Sequence, residues 1–268
     1  MAKCALCREE AILRKSHLLP SSAFRVIAFD ENEVNSKPTK VDFAKGTAVE
    51  TNEQLIQKLL CGKCEDRFSK YGEKIVGSLW ATSFEFPLLK KVMGLEVIGA
   101  DGSVQIYDSR KLLEIEREAL YYFALSIVWR SYVWDWASIR QEVKRTPLGE
   151  KYAEIFRQFL LGGERPKNTY LYALVYTDSV AVRHLSLPTP MKAVGYTVHK
   201  FDVPGITFLL MVGGGVSSEL LRAFRMVDDQ IVVMGQDYRS SDLFSSFVLN
   251  VRQNVVPKGK LASRKPAQ

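Results

Sequence analysis

The chain reads as an α+β protein in two parts: a small cysteine-anchored module over residues 1–75, then a helix-plus-antiparallel-sheet domain over 76–268. Three observations predict this. All four cysteines fall in two C-x-x-C pairs, Cys4–Cys7 and Cys61–Cys64. Residues 111–136 carry a wide apolar stripe at helical spacing. Beyond residue 169 the chain turns to β-branched and aromatic runs separated by Pro, Gly and Asp.

The two pairs justify the first module. Two residues between cysteines let both sulfurs turn onto one ion from a tight knuckle, and two knuckles supply four ligands for a closed tetrahedral zinc site. Such a site ties the N-terminus to a segment more than fifty residues later. A redox role needs only one pair, and disulfides belong to oxidising compartments, to which export is not expected from Met1–Cys4 running straight into the first knuckle. A short extended segment is expected around Ala11–Leu13. Ser16-His17-Leu18-Leu19-Pro20 follows, and Pro20 ends any strand pairing there. Residues 30–52 are polar and read as a loop or loose insertion. Apolar Leu55, Ile56, Leu59 and Leu60 lead into the second knuckle. After it, Phe68, Tyr71, Ile75 and Leu79 mark a helix. A helix in that position is what a treble-clef zinc fold shows.

Residues 84–110 form a connector with a hairpin, Leu95–Ile98 and Val104–Tyr107 flanking Asp101-Gly102. The 111–136 helix has little polar face and is expected to be central and buried. Its aromatic run beside Arg130 is read as core packing rather than base stacking. A second helix near 148–161 stops at Gly162-Gly163. Strands are predicted over 170–176, 193–201, 206–212 and 231–233, with one short helix at 217–225. The tail from Val256, with Lys258, Lys260, Arg264 and Lys265 and no acid, is expected to be disordered.

Bulk properties bound the function. Hydrophobic content of 47% and charged content of 25% are those of an ordinary globular protein. The formal charge of +7 falls to about +5 with four thiolates and a zinc ion. That balance favours nucleic acid without requiring it. The longest apolar helical run, 119–129, is shorter than the roughly 20 residues that span a bilayer. No membrane partner and a cytoplasmic location are therefore expected.

The arrangement C-x-x-C, S-H-L-L-P, L-L-C-x-x-C-E and then helix resembles the HNH-type nucleases, over residues 1 to about 75. Leu60–Tyr71 taken with Ala124–Arg130 also resembles a group of uncharacterised bacterial HNH-like proteins. The resemblance implies a ββα unit holding one catalytic Mg²⁺ or Mn²⁺ beside a structural Cys4 zinc. It implies cleavage of DNA or RNA, with defence against foreign nucleic acid as one setting. His17 falls at the general-base position and Glu65 at a metal-ligand position. The chain departs from the family at Ser16, where Asp or His is usual, and at Ser69, where His is frequent. The family's Asn has only Asn52 and Gln54 nearby. These departures keep two other readings open: a catalytically degenerate module that binds nucleic acid, and a structural zinc knuckle in a protein-interaction protein. His17 itself has a structural alternative, holding the loop after Pro20.

Arg14, Lys15 and Arg25 flank His17, and Lys63, Arg67 and Lys70 flank the second knuckle, so these six are the candidate nucleic-acid contacts. His184 and His199 are isolated on strand-like segments and are read as structural. The run Gly213-Gly214-Gly215 lacks the lysine of a P-loop and reads as a tight strand-to-helix turn.

Overall fold

The computed structural model describes residues 1–29, 36–138, 148–178, 184–239 and 241–263. The first part is built from small pieces. Strands β1 (Ala2–Lys3) and β2 (Glu10–Ala11) pair antiparallel around the first knuckle. Strand β3 (Leu13–His17) runs through the Ser-His pair to Pro20, and helix α1 (Ser21–Ala28) follows. The insertion is not a loose loop where it is described. Residues 30–35 lie outside the described residues, but β4 (Thr39–Asp42) and β5 (Thr47–Glu50) form a hairpin. Gly46, at φ +60°, makes its turn in a conformation that side chains rarely adopt. Strand β6 (Ile56–Cys61) pairs antiparallel with β3 and delivers Cys61 to helix α2 (Gly62–Phe68). The helix continues through a π turn at Ser69–Glu73 into α3 (Lys74–Gly77).

Helix α4 (Pro87–Val92) starts on a proline whose missing N–H costs nothing at a helix start. The predicted hairpin is β7 (Val97–Asp101) and β8 (Val104–Tyr107), with Gly102 at φ +55° in the turn. Helix α5 (Glu114–Val133) is buried nearly all round, as its sparse polar face predicts. Helix α6 (Gly149–Leu160) ends at the two glycines, Gly162 adopting φ +101°.

The remaining strands are β9 (Thr169–Tyr176), β10 (Thr189–Ala193), β11 (Tyr196–Val203), β12 (Ile206–Val212) and β13 (Ile231–Gln236), with helix α7 (Arg222–Val227) before β13. With β7 and β8 they form one seven-stranded sheet in the order β10-β11-β12-β9-β13-β8-β7. The sheet is not wholly antiparallel, because β13 lies parallel to β9. The α7 connection joins β12 to β13, the two neighbours of β9, at one end of the sheet, so these two run antiparallel to each other. Strand β10 escaped the sequence reading because prolines at 188 and 190 mask it; it is an edge strand, where proline is tolerated.

The C-terminal segment also departs from expectation. Helix α8 (Asp242–Asn254) is capped by Ser241, whose Oγ accepts the Phe244 N–H at 3.1 Å. Strand β14 (Val256–Pro257) then pairs with β5, and α9 (Lys260–Ser263) follows. The tail is therefore ordered through Ser263 because it completes the β4–β5 hairpin. Arg264 and Lys265 lie outside the described residues.

One hydrophobic core runs from Cys4, Leu6 and Phe68 through α5 to Leu171, Phe208 and Val233. Residues 1–75 and the larger part share it. Gly72 shows how tightly they meet: a Cβ there would lie 3.2 Å from the Tyr122 ring and 3.4 Å from Phe123 Cα.

Candidate metal centre and the adjoining polar cluster

The first knuckle is set by backbone. The Cys4 N–H donates to Glu9 O at 2.9 Å, the Arg8 N–H donates to Cys4 O at 2.9 Å, and Ala5 N–H reaches Leu59 O at 3.1 Å. The second knuckle comes from β6 running directly into α2, with Cys61 at the cap and Cys64 in the first turn. The four Sγ atoms lie within 4.8 Å of one another. Zn–S bonds of about 2.3 Å in a tetrahedron put sulfurs about 3.8 Å apart. Cys7 Sγ and Cys61 Sγ are 3.9 Å apart, far from the roughly 2.05 Å of a disulfide, and all four cysteines are free.

The electrostatics point the same way. Burial, then the neighbouring Cys61 and Cys4, pushes the Cys64 thiol far above its ordinary range. Burial also raises Cys7. Burial opposes ionisation of Cys4 too, but backbone N–H groups, that of Cys61 foremost, hold its thiol below the usual value. The Cys61 N–H donates to Cys4 Sγ at 3.3 Å. Four thiolates packed this closely need a cation, and the donor set suits a soft tetrahedral ion such as zinc. Among the described residues this is the one group of three or more Cys, His, Asp or Glu so closely gathered.

Outer contacts brace the knuckle against α6. Arg157 Nη1 donates to Leu6 O at 2.8 Å while its other nitrogens hold Glu154. Arg157, with help from Gln158, keeps the Glu154 carboxyl at about 2. Arg67 and Tyr122 both donate to Leu160 O, at 2.7 and 2.9 Å.

The Ser-His pair lies beside this centre. In the β3–β6 register Ser16 faces Gln57 and His17 faces Ile56. Ser16 is fully buried, and its Oγ donates to the Glu65 carboxylate. Burial raises the Glu65 carboxyl, opposed by that hydrogen bond and by Arg130. Arg130 Nη1, from α5, donates to the His17 carbonyl oxygen at 2.6 Å. Its Nη2 bonds Glu73, and its Cζ lies 5.1 Å from the Phe68 ring centroid. Burial lowers the His17 pKa, Glu73 pulling it back and Arg130 adding to the fall, which favours the neutral imidazole. The structure thus gathers Ser16, His17 and Glu65, and adds Arg130 and Glu73; Glu73 was a possible metal contributor in the sequence, but the link of both to His17 is not legible there. A lone arginine inside an apolar helix was the available signal, because a buried charge must have a partner.

A second, hard divalent ion fits this cluster poorly. Mg²⁺ and Mn²⁺ favour several oxygen ligands, yet Glu65 is bonded to Ser16 and Glu73 to Arg130.

The basic candidates divide. Lys15, Arg25, Lys63 and Lys70 are exposed. Arg14 is exposed but paired with Asp66 at 2.9 Å. Arg67 is a tether to α6 through Leu160 O, and its guanidinium lies 5.1 Å from the Tyr71 ring centroid.

The other histidines lie in the large sheet. His184 Nε2 is 3.4 Å from the buried Asp202, which also accepts from Ser186 at 2.5 Å and from Thr207. His199 is wholly buried, and neither ring nitrogen has a partner among the described residues. The glycine run is used internally: Gly213 N–H donates to Asn168 O and Gly215 N–H to Gly195 O. A Cβ on Gly215 would meet Gly195 Cα at 2.6 Å, so close packing of two turns explains it.

Comparison with family models, with curated proteins and with solved structures found no match to this chain. No helix among the described residues is long and apolar enough to cross a membrane.

Proposed function

We propose that the Cys4 unit is a zinc-stabilised, treble-clef HNH-like module that binds the phosphate backbone of nucleic acid. What supports it is the knuckle, the antiparallel β3–β6 pair, with α1 and the β4–β5 hairpin inserted between its strands, and the helix that opens at Gly62. The observation that carries it is a set of exposed lysines along that helix and its continuation: Lys63 in its first turn, Lys70 on the π turn and Lys74 at the start of α3. Lys70 and Lys74, four residues apart, repel. Lys15 also stands directly opposite exposed Lys58, where like charges destabilise a strand pair. A polyanion relieves both. Tyr71, exposed beside Lys70 with 5.1 Å from Nζ to ring centroid, adds an aromatic of the kind that unpaired bases stack on.

Binding of random-sequence single-stranded DNA, duplex DNA and RNA, followed by fluorescence anisotropy across a salt series, tests the proposal. Wild type is expected to lose affinity steeply with salt. Reversing Lys63, Lys70 and Lys74 to Glu should flatten the log–log slope by about 2 to 3. Absence of binding, or binding untouched by the reversals with zinc retained, overturns it.

Phosphodiester hydrolysis is the second reading, favoured by His17, whose burial favours the neutral imidazole, next to Ser16, which donates to Glu65. A neutral imidazole can take a proton from water. The donors for a catalytic Mg²⁺ or Mn²⁺ are not gathered, so no step is drawn through one. Plasmid, single-stranded DNA and RNA incubated with either ion and with wild type or His17→Ala decide between the readings. Cleavage by wild type alone establishes hydrolysis. Salt-dependent binding without cleavage leaves the binding reading.

A further inference from the structure

We infer that Arg130 and Glu73 are positioning residues for His17, and that helix α5 of the larger part is thereby a working part of the N-terminal site. This rests on reading the Ser16–His17–Glu65 cluster as the working part of the module.

The geometry is specific. Arg130 is 1% exposed and sits amid the apolar face of α5. A guanidinium there costs desolvation unless its donors are used. One nitrogen, Nη1, reaches the His17 carbonyl oxygen, 113 residues away in sequence. The other, Nη2, holds Glu73 on the π turn. The Phe68 ring fixes the guanidinium from a third direction. One fork therefore locks β3 to the helix that carries Glu65 and Glu73. A π turn often marks a functional position in a helix, and here it carries Glu73 to Arg130.

A scaffold role alone would be met by an apolar residue, which packs as well without the desolvation cost. What an apolar residue cannot supply is the hydrogen bond that fixes the His17 peptide, or the pair of opposite charges that acts on its imidazole. The charged groups that act on His17 are Glu73 and Arg130, in opposite senses. Glu73 favours the imidazolium and Arg130 disfavours it.

The test reads His17 directly, by NMR titration of the imidazoles. Three histidines make assignment by single His→Gln variants practical. Glu73→Gln should lower the His17 pKa, and Arg130→Met should raise it. Arg130→Lys keeps the charge but not the fork; it should leave the pKa near wild type while shifting the His17 and Leu18 amide resonances. Circular dichroism and zinc content identify any variant that fails to fold. The Glu73→Gln variant keeps the inference testable if Arg130→Met does not fold, because Glu73 is partly exposed. Opposite shifts support the inference. An unmoved His17 in folded Glu73→Gln, or shifts of the same sign in both variants, overturns it. These titrations need no nucleic acid. If wild type neither binds nor cleaves, the functional reading fails while the positioning result stands or falls on its own. If wild type is active, Arg130→Lys should lose activity with zinc content unchanged.

Discussion

The Ser16 hydroxyl donates to the Glu65 carboxylate across 49 residues of sequence, joining β3 to the first turn of α2. A fully buried hydroxyl and a largely buried carboxylate satisfy one another in the space between the metal centre and Arg130. Replacing Ser16 by Ala leaves the carboxylate without that donor, at a cost of about 1–3 kcal/mol. Urea unfolding of Ser16→Ala, Glu65→Gln and the double variant should give a coupling of the same sign. Strict additivity would show that the two groups do not communicate.

Metal loss should have a global effect. Cys61→Ser removes one of four ligands, and Cys61 belongs to the same core as Phe68 and Phe156. Binding energy at such a site is folding energy. The variant is expected to lose zinc and to melt at least about 10 °C lower in one transition, a loss of several kcal/mol. Zinc content with wild-type melting in Cys61→Ser would remove the four-cysteine centre.

His199 predicts an acid sensitivity. Burial lowers its pKa to about 4 in the folded protein, against about 6.5 when unfolded. The unfolded chain binds the proton first as pH falls. Stability attributable to His199 is therefore present above pH 6.5 and is lost between there and pH 4. The loss from pH 7 to pH 5 is about 2 kcal/mol. His199→Leu should shrink the wild-type difference between those two pH values. It should also be the more stable protein at pH 7, since it lacks two buried nitrogens that have no partner among the described residues. Equal pH dependence in the two proteins would mean that His199 has a partner in solution.

Gly72 weighs two opposing effects. Alanine gains about 1 kcal/mol of helix propensity. Its Cβ would press on Tyr122 and on the Phe123 backbone, which has little room to yield. Overpacking of this kind costs about 1–3 kcal/mol. A net loss of about 1 kcal/mol is expected for Gly72→Ala, read from the urea midpoint. A stabilised variant would show that α5 can move away.

The elements were legible wherever local pattern set them. The Cys4 pairs, the buried α5, the β7–β8 hairpin with its Asp-Gly turn and the glycine stop of α6 all follow from spacing and turn chemistry. Helix α8 was missed although Ser241 and the apolar Phe244, Phe247, Val248 and Val251 signalled it.

By itself the sequence determined the four-cysteine grouping and the mixed helix-and-strand composition, because each depends on residues close in sequence or on counting one rare residue type. The tertiary structure decided what depends on partners far along the chain. It joined β14 to β5, set β13 parallel to β9, turned Arg67 and Arg157 into tethers, and brought Arg130 to His17. Long-range hydrogen bonds and strand pairings leave no periodicity in the sequence, and a charge inside an apolar helix says that a partner exists without saying which.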